Sequence, residues 1–504
     1  LALHFGITFI FIEMGKGERY ILFGVVWGLM ILLFSACQQQ LPKADLQLDR
    51  LPQLFPDYAE LTIPENIAPL NFQVQEDYDQ FIACFFVEKE LLFSVHSNSG
   101  KIELGMKQWK LLTAKSTGGK YSVEILAQKD GTWARFQRFE NRVVADRIDS
   151  YLVYRLIEPG FETWKSMGIY QRCLENFEES PVVTNEVNHG GCVNCHSFRM
   201  NDPDNMLFHM RGGSGAGTVF WQEQQLSKVE TKTAETLSSA VYPARHPSGD
   251  FVAFSVNNIV QSFHALPDKQ VEVLDTLSDL VLYDTRNQVI SQPKQLATKA
   301  LLETFPTWAP DGKTLFYCAA KALPPDQYDE IRYDLYQVAF DPQSRQFGQP
   351  ELVVNAADSG KSISFPRVSP EGRYLVYCQS DYGNFSIWHR ESDLMLLDLA
   401  AMEISRPVVN SDQADSYHSW SSTGRWMVFS SRRQDGLYTR SYIAYFDTSG
   451  KFHKPFLLPF KDPLFSQKFT KAFNVPELVK SKVLLDPRSF ERIRDKEAMP
   501  ALFR

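Results

Sequence analysis

Phe305-Pro306-Thr307-Trp308-Ala309-Pro310-Asp311-Gly312-Lys313-Thr314-Leu315-Phe316-Tyr317 decides the fold. An aromatic-proline pair opens it, a Pro-Asp-Gly turn follows, and a β-rich apolar run closes it. Asp-Gly supplies the positive φ that a tight hairpin needs. The same pattern returns as Tyr242-Pro243…Pro247-Ser248-Gly249…Phe254, as Phe365-Pro366…Pro370-Glu371-Gly372…Tyr377 and as Tyr417-His418…Ser422-Thr423-Gly424…Phe429. The turn glycines lie 63, 60 and 52 residues apart. A second strand signal follows each copy, for example Asp334-Leu335-Tyr336-Gln337-Val338-Ala339 and Asp393-Leu394-Met395-Leu396-Leu397-Asp398. Several antiparallel strands per unit of this size predict propeller blades.

The residues F-P-x-W-x-P-D-G-x-x-L-x-Y resemble the repeats of TolB-like β-propellers, a WD40-like type of repeat, over about 240–450. Ser248, Glu371 and Thr423 replace the usual aspartate, and His418 replaces the proline. The expected fold is all-β, a β-propeller of about six blades, within a range of five to seven, preceded by a small β-sandwich-like domain. The sixth blade is expected from 145–185 or from the C-terminal part. TolB-like propellers are generally interaction modules, so the resemblance implies a binding surface.

A second motif carries chemistry. Cys192-Val193-Asn194-Cys195-His196 has the C-x-x-C-H pattern of covalent c-type haem attachment. Two thiols at this spacing can each add to a vinyl group of one haem, and the adjacent histidine then becomes the proximal axial ligand. The expected cofactor is therefore haem c on Cys192 and Cys195, with His196 on the iron. The alternative is a disulfide, or two core thiols beside a surface histidine.

Pro203-Asp204-Asn205-Met206-Leu207-Phe208-His209 aligns with the repeat when one residue is deleted, which puts Asn205 at the turn glycine. The haem segment is then expected in the connection that enters a blade. In this alignment His209 occupies the strand-end column of Phe254, Tyr317, Tyr377 and Phe429. A strand alternates its faces, so His209 points away from Met206 and Met210. His209 is the first expectation for a distal iron ligand, Met206 or Met210 the second, and a five-coordinate iron the third. The competing reading is that His209 fills the aromatic column. His189 is better suited to a turn. Arg211-Gly212-Gly213-Ser214-Gly215-Ala216-Gly217-Thr218 fits neither a dinucleotide loop nor a nucleophile elbow, and suits a hairpin or a close backbone approach.

The N-terminal part sets the expected compartment. Residues 1–13 read as an upstream artefact and 14–36 as a signal peptide. Leu33-Phe34-Ser35-Ala36-Cys37 resembles a bacterial lipoprotein signal, which implies a lipid on Cys37. A retained membrane anchor is the alternative. Either way the protein is expected in the cell envelope, on the periplasmic side or at the outer membrane. A tether over 37–60 and a β-rich domain over 61–150 are expected next. The first blade strands with the haem segment fall in 151–240, the propeller repeats in 241–463, and a C-terminal tail of one or two helices in 464–504.

Seven cysteines in 504 residues exclude a disulfide scaffold. A net charge of −8 argues against nucleic-acid binding. No hydrolase triad and no H-E-x-x-H motif is present. The leading expectation is an exported, lipid-anchored cytochrome c-like propeller that transfers electrons or senses redox state, with a redox or envelope protein as partner. The alternatives are a non-redox scaffold for envelope proteins or glycans, and a haem enzyme such as a peroxidase.

Overall fold

The computed structural model describes residues 41–158, 166–212, 215–266 and 269–504. Cys37 and the signal segment lie outside the described residues. The fold is all-β, built around a propeller of six blades. Blade 1 contains Tyr151–Ile157, Gly168–Cys173 and Glu179–Thr184. Blade 2 contains Cys192–Phe198, Asn205–Arg211, Gly217–Gln222 and Gln225–Glu230. Blades 3 to 6 begin with Val241–Arg245, Leu301–Trp308, Ser362–Val368 and Asp415–Trp420 as their innermost strands.

The C-terminal segment differs most from expectation. Ala472–Val479 is the innermost strand of blade 1, paired antiparallel with Tyr151–Ile157. The ring is therefore closed by strands from the two ends of the propeller sequence, which leaves no open edge there. Met499–Pro500 and Leu502–Phe503 add short parallel strands to blades 2 and 3. The predicted helical content of this segment is confined to Phe465–Lys468 and Pro487–Asp495.

Each innermost strand carries one bulge, and the six bulges coincide. Cys195, Tyr242, Phe305, Phe365, Tyr417 and Val475 have φ between 44° and 52°. In every blade the register slips at that residue and the next. Two residues there oppose one, the geometry of a β-bulge. The opposed residues are Tyr154, Phe208, Phe254, Tyr317, Tyr377 and Phe429, read from the flanking pairs. Apolar layers between successive blades hold the ring. Val193, Met206, Phe208 and Met210 pack toward blade 1, while Leu207 and Phe220 pack toward Val252 and Phe254 of blade 3.

The N-terminal unit contains a seven-stranded sheet, a three-stranded sheet and the helix Met106–Ser116. Trp109, Leu112, Thr113 and Ser116 line one face of that helix and are buried, at the spacing of an amphipathic helix. The segment expected as a tether joins this unit from residue 41 on: Leu46–Gln47 pairs with Ala134 and Arg135, and Leu54–Phe55 with Gln73 and Val74. The Tyr58 hydroxyl donates to the Leu457 carbonyl at 3.0 Å, tying the unit to blade 6.

Candidate functional site

Cys192–Phe198 is an innermost strand, not a connection entering a blade. Its pairing with Asn205–Arg211 corrects the alignment. Phe198 opposes Met206 and Asn194 opposes His209, as Trp308 opposes Leu315 and Thr304 opposes Cys318. Phe208, not His209, therefore occupies the aromatic column. His209 sits where the other blades carry Arg155, Ser255, Cys318, Cys378 and Ser430. The turn of blade 2 is one residue longer than that of blade 4, not shorter. Its positive φ falls on Met200 and Asn201, while Asn205 already belongs to the strand.

This register puts Cys195-His196 in the column of Tyr242-Pro243, Phe305-Pro306, Phe365-Pro366, Tyr417-His418 and Val475-Pro476. The bulge residues border a central cavity of about 490 Å³. Four of them are aromatic and form a continuous belt. Ring centroids are 4.4 Å apart for Tyr242 and Phe305, 4.1 Å for Phe305 and Phe365, and 4.5 Å for Phe365 and Tyr417. The belt is broken at the two adjoining blades that carry Val475 and Cys195. Cys195 and Val475 leave that part of the cavity wall without an aromatic ring.

His196 is buried, and its ring nitrogens make no hydrogen bond of good geometry. The main chains of Val475 and Val153 flank it, with Phe198 edge-on at 6.2 Å. Burial first, and then the Arg155 charge, push its pKa down to about 3, so the ring is neutral. His418 occupies the same column in blade 6 and is fully satisfied. Its Nε2 lies 2.8 Å from the Val376 carbonyl oxygen and its Nδ1 3.8 Å from Cys378 Sγ. Arg155 stands beside His196 where Cys378 stands beside His418.

The two thiols differ. Cys195 is half-buried and borders the cavity. Cys192 is buried in the apolar layer between blades 1 and 2, where burial raises its thiol pKa. Both are free thiols. Arg155 and Arg211 border the same cavity, and among the described residues neither has an ion-pair partner.

His196 and His209 are not brought together. His196 faces blade 1, whereas His209 faces blade 3, with Phe254 at 6.0 Å and Thr218 Oγ1 2.9 Å from Nδ1. The sheet of blade 2 lies between them. His209 Nε2 is buried without a partner. Met206 and Met210 are buried on the His196 face, in the same apolar layer as Cys192. His189 caps a short 3-10 turn at φ 50°, a turn role. The glycine-rich stretch closes against this turn: a Cβ on Gly215 would lie 2.3 Å from Asn188 Oδ1.

Sequence reasoning missed the hairpin Phe251–Leu266 and Lys269–Asp284, which is far longer than its counterparts. Its outer part reaches blade 5. The Tyr382 hydroxyl donates to Glu272 Oε1 at 2.6 Å, and His389 Nε2 lies 3.3 Å from Glu272 Oε2. Ile259, Gln261, Val271 and Val273 of this arm border the cavity. The signal was present in the long alternating run after Phe251.

No family profile and no curated protein matches this sequence. Among solved structures, one from a nidogen/laminin complex is similar at 9% identity and a TM-score of 0.36, covering 66% of this chain and 99% of that one. A puromycin-hydrolyzing peptidase of Mycobacterium tuberculosis is similar at 11% identity and 0.35, covering 67% and 51%. The Dos1 propeller is similar at 13% and 0.27, covering 45% and 64%. Among the described residues, no group of three or more His, Cys, Asp or Glu could hold a metal ion, and no helix is long and apolar enough to cross a membrane.

Proposed function

We propose that this protein is an exported, lipid-anchored TolB-like propeller that carries a c-type haem at the break in its aromatic belt. In this reading it transfers electrons or senses redox state at the cell envelope. The observation that carries the reading is the contrast between two histidines in one structural column. His418 bonds the Val376 carbonyl in good geometry, while His196 meets the Val475 and Val153 main chains only in poor geometry. A buried imidazole whose hydrogen bonds are poor is costly and gains from a ligand. A neutral imidazole is the form that ligates iron.

The residues present fit the group in chemistry. Cys195 borders the cavity and would form the first thioether. Cys192 lies one layer away, so a second thioether requires its side chain to turn toward the cavity. Arg155 and Arg211 supply positive charge for the haem carboxylates. When bound, haem supplies a one-electron couple, and the covalent links retain it outside the cell. Burial beside Phe198 keeps water from His196, and the neutral ring keeps a lone pair available.

The test is a pyridine haemochrome spectrum of protein produced with a cytochrome c maturation system. A c-type spectrum that is lost in Cys192→Ser/Cys195→Ser is expected. Absence of covalent haem in the wild-type protein overturns the reading.

A further inference from the structure

A second cavity, of about 230 Å³, lies beyond Arg367 and Glu477, which border both cavities. It sits where the inner strands leave the channel and turn outward. Phe198, Met200, Trp308, Trp420 and Pro310 form apolar walls. Arg245 and Lys480 also border it.

Arg245 is the anomaly. It is 7% exposed, and its Nε and Nη1 have no partner. Only Nη2 is used, donating to Gln222 Oε1 at 3.3 Å. Among the described residues, no carboxylate lies within ion-pair distance of it. Its five counterparts in the other blades are Phe198, Trp308, Val368, Trp420 and Leu478, by the pairing register. The column is thus an apolar one into which a single blade places a guanidinium. Burial lowers its pKa first, and the neighbouring Arg199 charge adds to this, partly offset by the Asp202 carboxylate beyond ion-pair distance, to about 10, so it remains charged near neutrality. A buried, unpaired charge is destabilising, and the fold has five apolar precedents for avoiding it. Glu477, on the same wall, has its carboxyl pushed up to about 7 by burial, which weakens its repulsion of an anion.

We propose that this cavity binds a carboxylate carried on an apolar, ring-sized body, with Arg245 as its counter-ion and the Phe198, Trp308 and Trp420 walls taking the body. Such a carboxylate is found on a free organic acid and at the C-terminus of a polypeptide ending in an apolar residue. Guanidinium–carboxylate pairing in a water-poor pocket supplies the specificity for charge, and the walls supply the area.

Isothermal titration of the full-length protein with 3-phenylpropionate, with its amide, with inorganic phosphate, and with acetyl-Ala-Phe as free acid and as amide tests this. Binding of the acids with at least tenfold weaker binding of both amides and of phosphate is expected. Arg245→Leu, which copies the Leu478 counterpart, is expected to fold, to melt no lower than the wild type, and to lose acid binding at least tenfold. Tighter binding of the acid peptide identifies a polypeptide C-terminus as the source, and tighter binding of 3-phenylpropionate a free acid. Equal binding of acid and amide, equal binding of phosphate, no binding of either acid at 10 mM, or retained binding in Arg245→Leu overturns the proposal. If Arg245→Leu does not fold, the acid-against-amide comparison on the wild type decides. The result is independent of haem, because the site shares neither Cys195 nor His196.

Discussion

Replacing His196 with proline should stabilise the haem-free protein, which is the reverse of what a buried histidine normally predicts. The backbone is already suited to the change. Pro243, Pro306, Pro366 and Pro476 follow the same positive-φ bulge residue in four sister blades. Leaving a buried polar group wholly without a partner costs about 1–3 kcal/mol, and the His196 nitrogens, held only by poor contacts to the Val475 and Val153 main chains, carry part of that cost. Proline at a compatible position adds about 0.4–1 kcal/mol through the unfolded state. Against this stands the space left by the smaller ring, roughly 1 kcal/mol at about 24 cal/mol per Å³. The balance is a gain on the order of 1 kcal/mol. His418→Pro is the control. There the change breaks the contacts to the Val376 carbonyl and Cys378 Sγ, and a loss of about 1–2 kcal/mol is expected. Thermal melting of haem-free protein from a host lacking haem maturation reads both variants. A higher melting temperature for His196→Pro together with a lower one for His418→Pro is the expected pair. If both variants melt lower by similar amounts, His196 is an ordinary structural histidine and the site loses its main support.

Two further outcomes follow from the same geometry. In haem-loaded protein, His209→Ala should leave the iron spectrum unchanged, because His209 faces blade 3, while Met206→Leu or Met210→Leu should alter it if either sulfur is the sixth ligand. A spectrum lost only in His209→Ala would show that the blade 2 sheet does not separate the two histidines. The arm over the cavity should weaken at alkaline pH. Burial alone would lower the His389 pKa, but its bonds to Glu272 and Glu391 outweigh this and raise it to about 9. A raised histidine contributes fully below its unfolded value near 6.5 and loses that contribution as pH climbs through about 9. The ceiling is about 3 kcal/mol. Melting temperature measured from pH 7 to 10 should fall more in the wild type than in His389→Gln, and parallel curves would refute the latch.

The aromatic-proline columns were legible because each lies within a few residues of its own turn and strand. Blade 2 misled for a physical reason. Pro203-Asp204-Asn205 imitates Pro310-Asp311-Gly312, yet its turn bends at Met200 and Asn201, so a local match moved His209 by one position and onto the wrong face. The innermost strand of blade 1 was hidden differently. Phe473-Asn474-Val475-Pro476 carries the column's proline, but its partner Tyr151–Ile157 lies more than 300 residues earlier, and no local pattern joins them. The helix Met106–Ser116 was overlooked among β-formers, although Trp109, Leu112, Thr113 and Ser116 have helical spacing. The decisive property of His196, that its polar contacts are poor, depends on the neighbours that blade 1 presents to it. It could not be read from Cys192–Phe198 alone.

The site sits at the seam of the ring. His196 from blade 2 meets Val475 of the closing strand on one side and Val153 on the other, and Phe198 N donates to Glu477 Oε2 at 3.1 Å. The break in the aromatic belt is therefore made by one strand from the start of the propeller sequence and one from its end. Neither half of the site exists until the C-terminal strand has docked. A group held by Cys195 and His196 at this seam would add binding energy to the closed ring alone, since an open ring lacks the Val475 wall. By mass action such a group stabilises closure in proportion to how poorly it binds the open form. The poorly bonded histidine and the missing aromatic would then have one explanation. The fold gives up packing at the seam, where a bound group would restore it and would lock the two ends of the propeller together.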